Sequence, residues 1–184
     1  MGNIKEHIEI EDKYVLNRIP ADIAWDRSVL VYQFFYENSS DSCFTQDKLV
    51  INMTKGTVSF CSVTKEILGV NKSNKKTEYK NIDEVNLEEL LGRPFVLKRR
   101  HIKDNLFFDV YIHGKYPENR DRLLMLEIEH EEMDSMDDYA DLLTDSKCVS
   151  NLPEYYNENM TVVFTSDHMK ELIELRKILA NSEG

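Results

Sequence analysis

Charged residues recur at a spacing of two in several segments that are otherwise apolar or aromatic. Glu9 and Glu11 alternate with Ile8 and Ile10, Glu127 and Glu129 alternate with Leu126 and Ile128, Lys98 and Arg100 fall on one side of FVLKRRHI, and Asp109 sits among aromatics in LFFDVYIH. A spacing of two puts both members of a pair on the same face of a β-strand. Carboxylates held that close repel one another. A bound Mg²⁺ or Mn²⁺ ion removes the penalty, because hard cations take carboxylate oxygens. Lys and Arg facing the same space would grip the far end of a polyanion. For one strand alone, the plain reading is an apolar side on the core and a charged side in water. Four such strands favour the inverse arrangement, in which apolar faces pack on outer helices and charged faces line a barrel interior.

The elements that must position these residues are mostly strands. Period-two alternation or β-branched and aromatic enrichment marks residues 7–15, 28–36, 48–53, 57–64, 95–102, 106–113 and 123–130, with a short strand from Lys75 to Ile82. Lys55-Gly56 reads as the turn of a hairpin. Asp83 is placed to cap a short helix running to about Leu91, which Gly92 and Pro94 end. Residues 131–143 are acidic, with Met136, Tyr139, Ala140 and Leu143 at helical spacing. Ser166 or Asp167 caps a final helix that buries Met169, Leu172, Ile173 and Leu179. Residues 71–76, NKSNKK, read as a mobile loop. The expectation is one domain over 1–184: a mainly β (α+β), polar-lined antiparallel barrel of seven or eight strands with helices outside.

The bulk numbers narrow the function. The chain has 184 residues and a formal net charge of −11, which argues against nonspecific binding of nucleic acid. No apolar run is long enough to span a bilayer, and the N-terminus lacks the layout of a signal peptide, so a cytoplasmic protein without membrane partners is expected. The three cysteines, Cys43, Cys61 and Cys148, form no CxxC pair and indicate neither a zinc site nor a disulfide framework. His113 and His130 end strands and read as solvent-facing or structural. Ser39, Ser40 and Ser42 have no visible base partner.

Taken in order, the motifs resemble the CYTH superfamily, the triphosphate tunnel metalloenzymes. Glu9-Ile10-Glu11-Asp12-Lys13 fits its ExExK signature. Gln33 in YQFFY, Lys76-Thr77-Glu78-Tyr79, Lys98-Arg99-Arg100-His101, Phe108-Asp109-Val110-Tyr111, Leu124 to Glu129 and Tyr155-Tyr156-Asn157 resemble its later elements, over residues 8 to 160. The resemblance implies a closed eight-stranded antiparallel tunnel. It implies Glu9, Glu11, Glu127 and Glu129 as ligands of Mg²⁺ or Mn²⁺, and Lys13, Lys76, Lys98 and Arg100 as phosphate ligands. Lys13, Lys98 and Arg100 would also act in catalysis, and Asp109 would orient a base or join the metal shell.

The departures bear on function. The family's R-x-R strand falls near residues 49–53, where this chain reads KLVINM, leaving Lys48, Lys55 and Lys65 nearby. Lysine does not reproduce a bidentate guanidinium clamp. The terminal E-V-T reads Cys148-Val149-Ser150, without its glutamate. The expected function is a divalent-metal phosphohydrolase acting on a tri- or polyphosphate compound. The alternatives are a noncatalytic tunnel that binds a nucleotide or phosphorylated signal, and a class IV adenylate cyclase-like enzyme. The expected partner is a phosphorylated small molecule, with a homodimer possible.

Overall fold

The computed structural model describes residues 3–37, 42–130 and 139–182. Eight strands account for the architecture: β1 (Ile4–Val15), β2 (Arg27–Phe35), β3 (Cys43–Asn52), β4 (Thr57–Gly69), β5 (Lys72–Lys80), β6 (Pro94–Lys103), β7 (Leu106–His113) and β8 (Leu124–His130). They pair antiparallel in the order β6-β2-β3-β4-β5-β1-β8-β7, and β7 returns to β6, so the sheet closes into a barrel. Two short strands, β9 (Lys147–Cys148) on β1 and β10 (Val162–Val163) on β6, extend it. Among the described residues one α-helix, α1 (Ser166–Ser182), follows.

Inside and outside are inverted relative to an ordinary small barrel. The outward residues of β2, β3 and β6, including Tyr32, Phe34, Leu49, Ile51, Phe95 and Leu97, pack with Phe164 and with Met169, Leu172 and Leu179 of α1. A second outer cluster joins Phe108, Leu124, Leu126 and Ile128 to Leu16, Trp25 and Leu142. The inward faces are therefore free to be polar. One stretch of the interior remains apolar: Val15, Phe35, Val96, Tyr111 and Met125 meet Val149, Tyr155 and Met160 from the chain after β9 and close that end.

Several elements differ from the sequence reading. Residues 71–76 do not form a loop: Lys72 begins β5, and Val70-Asn71 make a two-residue turn between Gly69 and Lys72, with Asn71 at φ 59°, a left-handed conformation that Asn tolerates. The helix expected over 83–91 is two single turns of 3₁₀ helix, Ile82–Glu84 and Leu87–Leu90. Asn81 and Asn86 each accept a hydrogen bond from the backbone N–H two residues on, which starts each turn afresh and breaks continuity. Ile173 is exposed on α1 rather than buried. Of the acidic helix expected over 131–143, residues 131–138 lie outside the described residues, as do Ser39 and Ser40; 139–145 form turns. Of the two readings of His130, solvent-facing or structural, its burial fits the second. The Lys55-Gly56 turn is present, with Gly56 at φ 67°.

Candidate functional site

Strand register gathers the charges. β1 and β8 run side by side with Lys13 opposite Glu127 and Glu11 opposite Glu129. β6 and β7 place Arg100 opposite Asp109. β4 and β5 place Lys65 opposite Lys75, and β2 and β3 place Gln33 opposite Lys48. The side chains meet in one cavity lined by Glu9, Glu11, Lys13, Lys48, Lys65, Lys75, Lys98, Arg100, Glu127 and Glu158, together with Gln33, Phe44, Gln46 and Asn157. Six of these are basic and four acidic, in a chain whose net charge is −11.

The charges are held in a continuous network. Arg100 grips Asp109 with two hydrogen bonds of 2.7 Å and Glu127 with a third of the same length. Lys98, almost fully buried, lies 2.9 Å from Asp109 and 3.8 Å from Glu127. Lys13 reaches Glu11 at 3.1 Å and Glu127 at 3.8 Å. Lys65 and Lys75 both reach Glu9, at 3.1 and 3.5 Å. Glu129 lies 3.4 Å from His7.

These contacts set the protonation states. Burial raises the Glu127 carboxyl, but Arg100, Lys98 and Lys13 outweigh it and bring it down to about 2. Burial likewise opposes ionisation of Glu9, and Lys65 and Lys75 overcome it, holding the carboxyl well below the usual range. Glu11 is lowered by Lys13 and Lys65 against burial. Lys48 behaves oppositely. Burial, followed by the charges of Lys75, Arg100, Lys65 and Lys98, pushes its ammonium well below the ordinary lysine range. Lys48 is thus an amine among cations, whose charged form an added anion would favour.

Most of the residues singled out from sequence are brought together: Glu9, Glu11, Lys13, Lys98, Arg100 and Glu127 line the cavity, and Asp109 stands directly behind Lys98 and Arg100. Two are not. Glu129 does not line it. Lys76 is exposed on the outer face, and its neighbour Lys75 points inward instead, because side chains alternate along β5. Lys48, Lys65 and Lys75 are the cavity lysines that sequence reasoning left unassigned or missed; Lys55 is exposed in its turn. β3 carries no arginine inward and presents Phe44, Gln46 and Lys48. Gln33 donates to Gln46 at 2.9 Å, while its own Oε1 is buried with no hydrogen-bond partner among the described residues.

The carboxylates offer the oxygen donors that a hard divalent cation takes. In this arrangement, however, no three metal-ligating side chains gather closely enough to hold one, among the described residues. The Lys13 ammonium stands between Glu11 and Glu127 as their counter-charge. The charged interior encloses only about 50 Å³, so a ligand entering it must displace lysine–carboxylate contacts. It opens on a much larger mouth of about 670 Å³ beneath the β4–β5 turn and the chain at 150–159.

No family model and no curated protein matches the chain. A solved structure described as the crystal structure of the hypothetical protein NE1496 is 18% identical, with a TM-score of 0.43, and the match covers 82% of this chain and 95% of that one. No helix among the described residues is long and apolar enough to cross a membrane.

Proposed function

We propose that the tunnel binds a tri- or polyphosphate compound and hydrolyses it with Mg²⁺ or Mn²⁺, as a diverged relative of the CYTH triphosphate tunnel metalloenzymes. The observation that carries this reading is the convergence of six basic side chains from five strands in one interior that also holds carboxylates from β1 and β8. A structural salt-bridge network needs matched charges. Here bases exceed acids along the lining, and Lys48 has cationic neighbours.

Glu9, Glu11 and Glu127, with Glu129 opposite Glu11 on β8, are the residues that would hold the cation once Lys13, Lys65 and Lys75 turn from them to the anion. Bound there, the cation would act as a Lewis acid on the phosphoryl group and lower the pKa of a water nucleophile. The chain's own residues do the rest. Lys48, Lys65 and Lys75 on one side of the interior bind the anion. Lys13, Lys98 and Arg100 on the other neutralise charge building on the phosphoryl oxygens. Asp109 fixes the planes of Arg100 and the position of Lys98 through its two oxygens. A cation on the glutamates would free Lys13, Lys65 and Lys75 from their carboxylates, so cation and anion should each strengthen binding of the other.

The test is phosphate or pyrophosphate release from inorganic triphosphate, ATP and thiamine triphosphate with Mg²⁺ or Mn²⁺. Release that requires the cation supports the reading. Ligand-dependent thermal stabilisation without turnover would favour a noncatalytic binding tunnel, the alternative supported by Gln46 and Lys48 standing on β3 where no arginine enters. A cyclic nucleotide product from ATP would favour the cyclase alternative.

A further inference from the structure

One base of the interior differs from the rest. Lys13 is paired with Glu11, Lys65 and Lys75 share Glu9, and Lys98 and Arg100 share Asp109. Lys48 has no ion pair among the described residues, and the charges that act on it are those of Lys75, Arg100, Lys65 and Lys98. Burial and these four cations favour its free amine over the ammonium. A desolvated lysine beside other cations is an activated nucleophile. Cys61, directly opposite on β4, is no rival, because burial pushes its thiol up and keeps it protonated.

The strand on the other side of Lys48 supplies a second observation. Gln33 of β2 stands directly opposite Lys48, lines the same cavity and is only 2% exposed. Its Nε2 is spent on Gln46, which leaves Oε1 as a buried acceptor with no donor among the described residues. Side chains directly opposite on antiparallel strands are about 4.5–5.5 Å apart at Cβ. A carbamate on Lys48 answers both features. Its carboxylate suits the surrounding cations, its N–H suits Gln33 Oε1, and a group as small as carbon dioxide suits an interior of about 50 Å³. We infer that Lys48 is a modification site that takes up carbon dioxide as a carbamate, its carboxylate held by the neighbouring lysines and Arg100 and its N–H by Gln33. In that step the amine lone pair attacks the carbon of carbon dioxide and a C–N bond forms. The electron pair of one C=O bond moves to its oxygen, and the nitrogen releases one proton to water. The product adds a carboxylate to a lining in which bases exceed acids. The modification needs no phosphate ligand. Where a polyanion also binds, it requires the charged form of the same amine, so dissolved carbon dioxide opposes it.

The experiment equilibrates the folded full chain with isotopically labelled bicarbonate near neutral pH, traps carbamates as esters with a trialkyloxonium salt, and maps the label by peptide mass spectrometry. Lys48 should carry about tenfold or more the label of Lys55, which is exposed in its turn, because far more of Lys48 is free amine. The measurement uses the wild type, so it does not depend on any variant folding. In Gln33→Leu, checked for folding by its unfolding curve, the label on Lys48 should fall by about threefold or more. Lys48 unlabelled, or labelled no more than Lys55, would overturn the proposal. So would label confined to exposed lysines and the N-terminal amine, the outcome of adventitious carbamylation. Undiminished label in folded Gln33→Leu would overturn the role given to Gln33. None of these outcomes depends on phosphate release, which is measured separately.

Discussion

Lys65 and Lys75 face each other across the β4–β5 pair and share one carboxylate, that of Glu9, at 3.1 and 3.5 Å. Glu11 compensates Lys65 as well, so Lys75, whose ion pair is with Glu9, is the ammonium with the less carboxylate about it. A phosphate oxygen can accept the hydrogen bonds that Glu9 does not. A hydrogen bond to a charged group contributes on the order of 1.5–3 kcal/mol. Lys75→Gln should therefore weaken triphosphate binding by about tenfold or more. Lys76→Gln, one residue along and on the outer face, should change it by less than about twofold. Calorimetric affinities of the two variants decide the point. Equal losses would contradict the assignment of Lys75 to the interior.

Lys48 makes a prediction about pH. Its ammonium is lowered in the folded protein, first by burial and then by Lys75, Arg100, Lys65 and Lys98. The unfolded chain thus binds the extra proton between the folded-state value and the ordinary 10.5, and stability rises with pH across that window. A bound polyanion reverses the penalty by favouring the charged form. Affinity for triphosphate should fall as pH rises through the folded-state value of the free protein, with proton uptake on binding as pH rises past that value. Lys48→Met should raise the melting temperature at neutral pH, weaken triphosphate binding, and reduce the proton uptake measured by titration in buffers of different ionisation enthalpy. A variant that melts lower than wild type would show that Lys48 is stably charged in the unliganded fold.

Glu127 makes the converse prediction at acid pH. Its carboxyl is held at about 2 against an ordinary 4.5, so its contribution is complete above pH 4.5 and is lost as pH falls towards 2. Glu127→Gln leaves Arg100, Lys98 and Lys13 with a carboxylate fewer among buried charges. Breaking a buried pair in this way costs about 3–5 kcal/mol. Denaturant unfolding at neutral pH should show that loss, and the difference from wild type should shrink on acidification. The double variant Glu127→Gln/Glu129→Gln should in addition lose dependence on Mg²⁺ or Mn²⁺ in triphosphate hydrolysis. Unaltered metal dependence would exclude these carboxylates as the cation site.

How much of this is legible in the sequence follows from how strand alternation is written. Where a strand alternates apolar with charged residues, as in β1 and β8, both the strand and its cavity residues can be read directly, and Glu9, Glu11, Lys13 and Glu127 follow. β5 has no such contrast. Its inward row, Ser73, Lys75 and Thr77, and its outer row, Asn74, Lys76 and Glu78, are both polar, so nothing in the pattern distinguishes strand from loop or Lys75 from Lys76. The resemblance carried by Lys76-Thr77-Glu78-Tyr79 points to a lysine one position off, which on a strand is the opposite face. Lys48 and Lys65 were visible as residues, but their direction was not. It depends on register with β2 and β5, which are set by contacts far along the chain.

The apolar end of the barrel is tied to the mouth through one hydrogen bond. The buried Tyr111 hydroxyl donates to Asn157 Oδ1 at 2.5 Å. Asn157 begins the turn Asn157–Asn159, next to Tyr156 and Glu158, which line the mouth. Tyr111→Phe removes the donor without changing the ring packed among Val96, Met125 and Tyr155, and it leaves a buried amide oxygen without this partner. A buried acceptor so deprived costs about 1–3 kcal/mol. Urea unfolding should show that loss. Because the same bond anchors the turn whose Asn157 and Glu158 line the charged interior, triphosphate affinity should fall as well. If stability and triphosphate affinity are both unchanged, Asn157 has another partner and the turn does not depend on Tyr111.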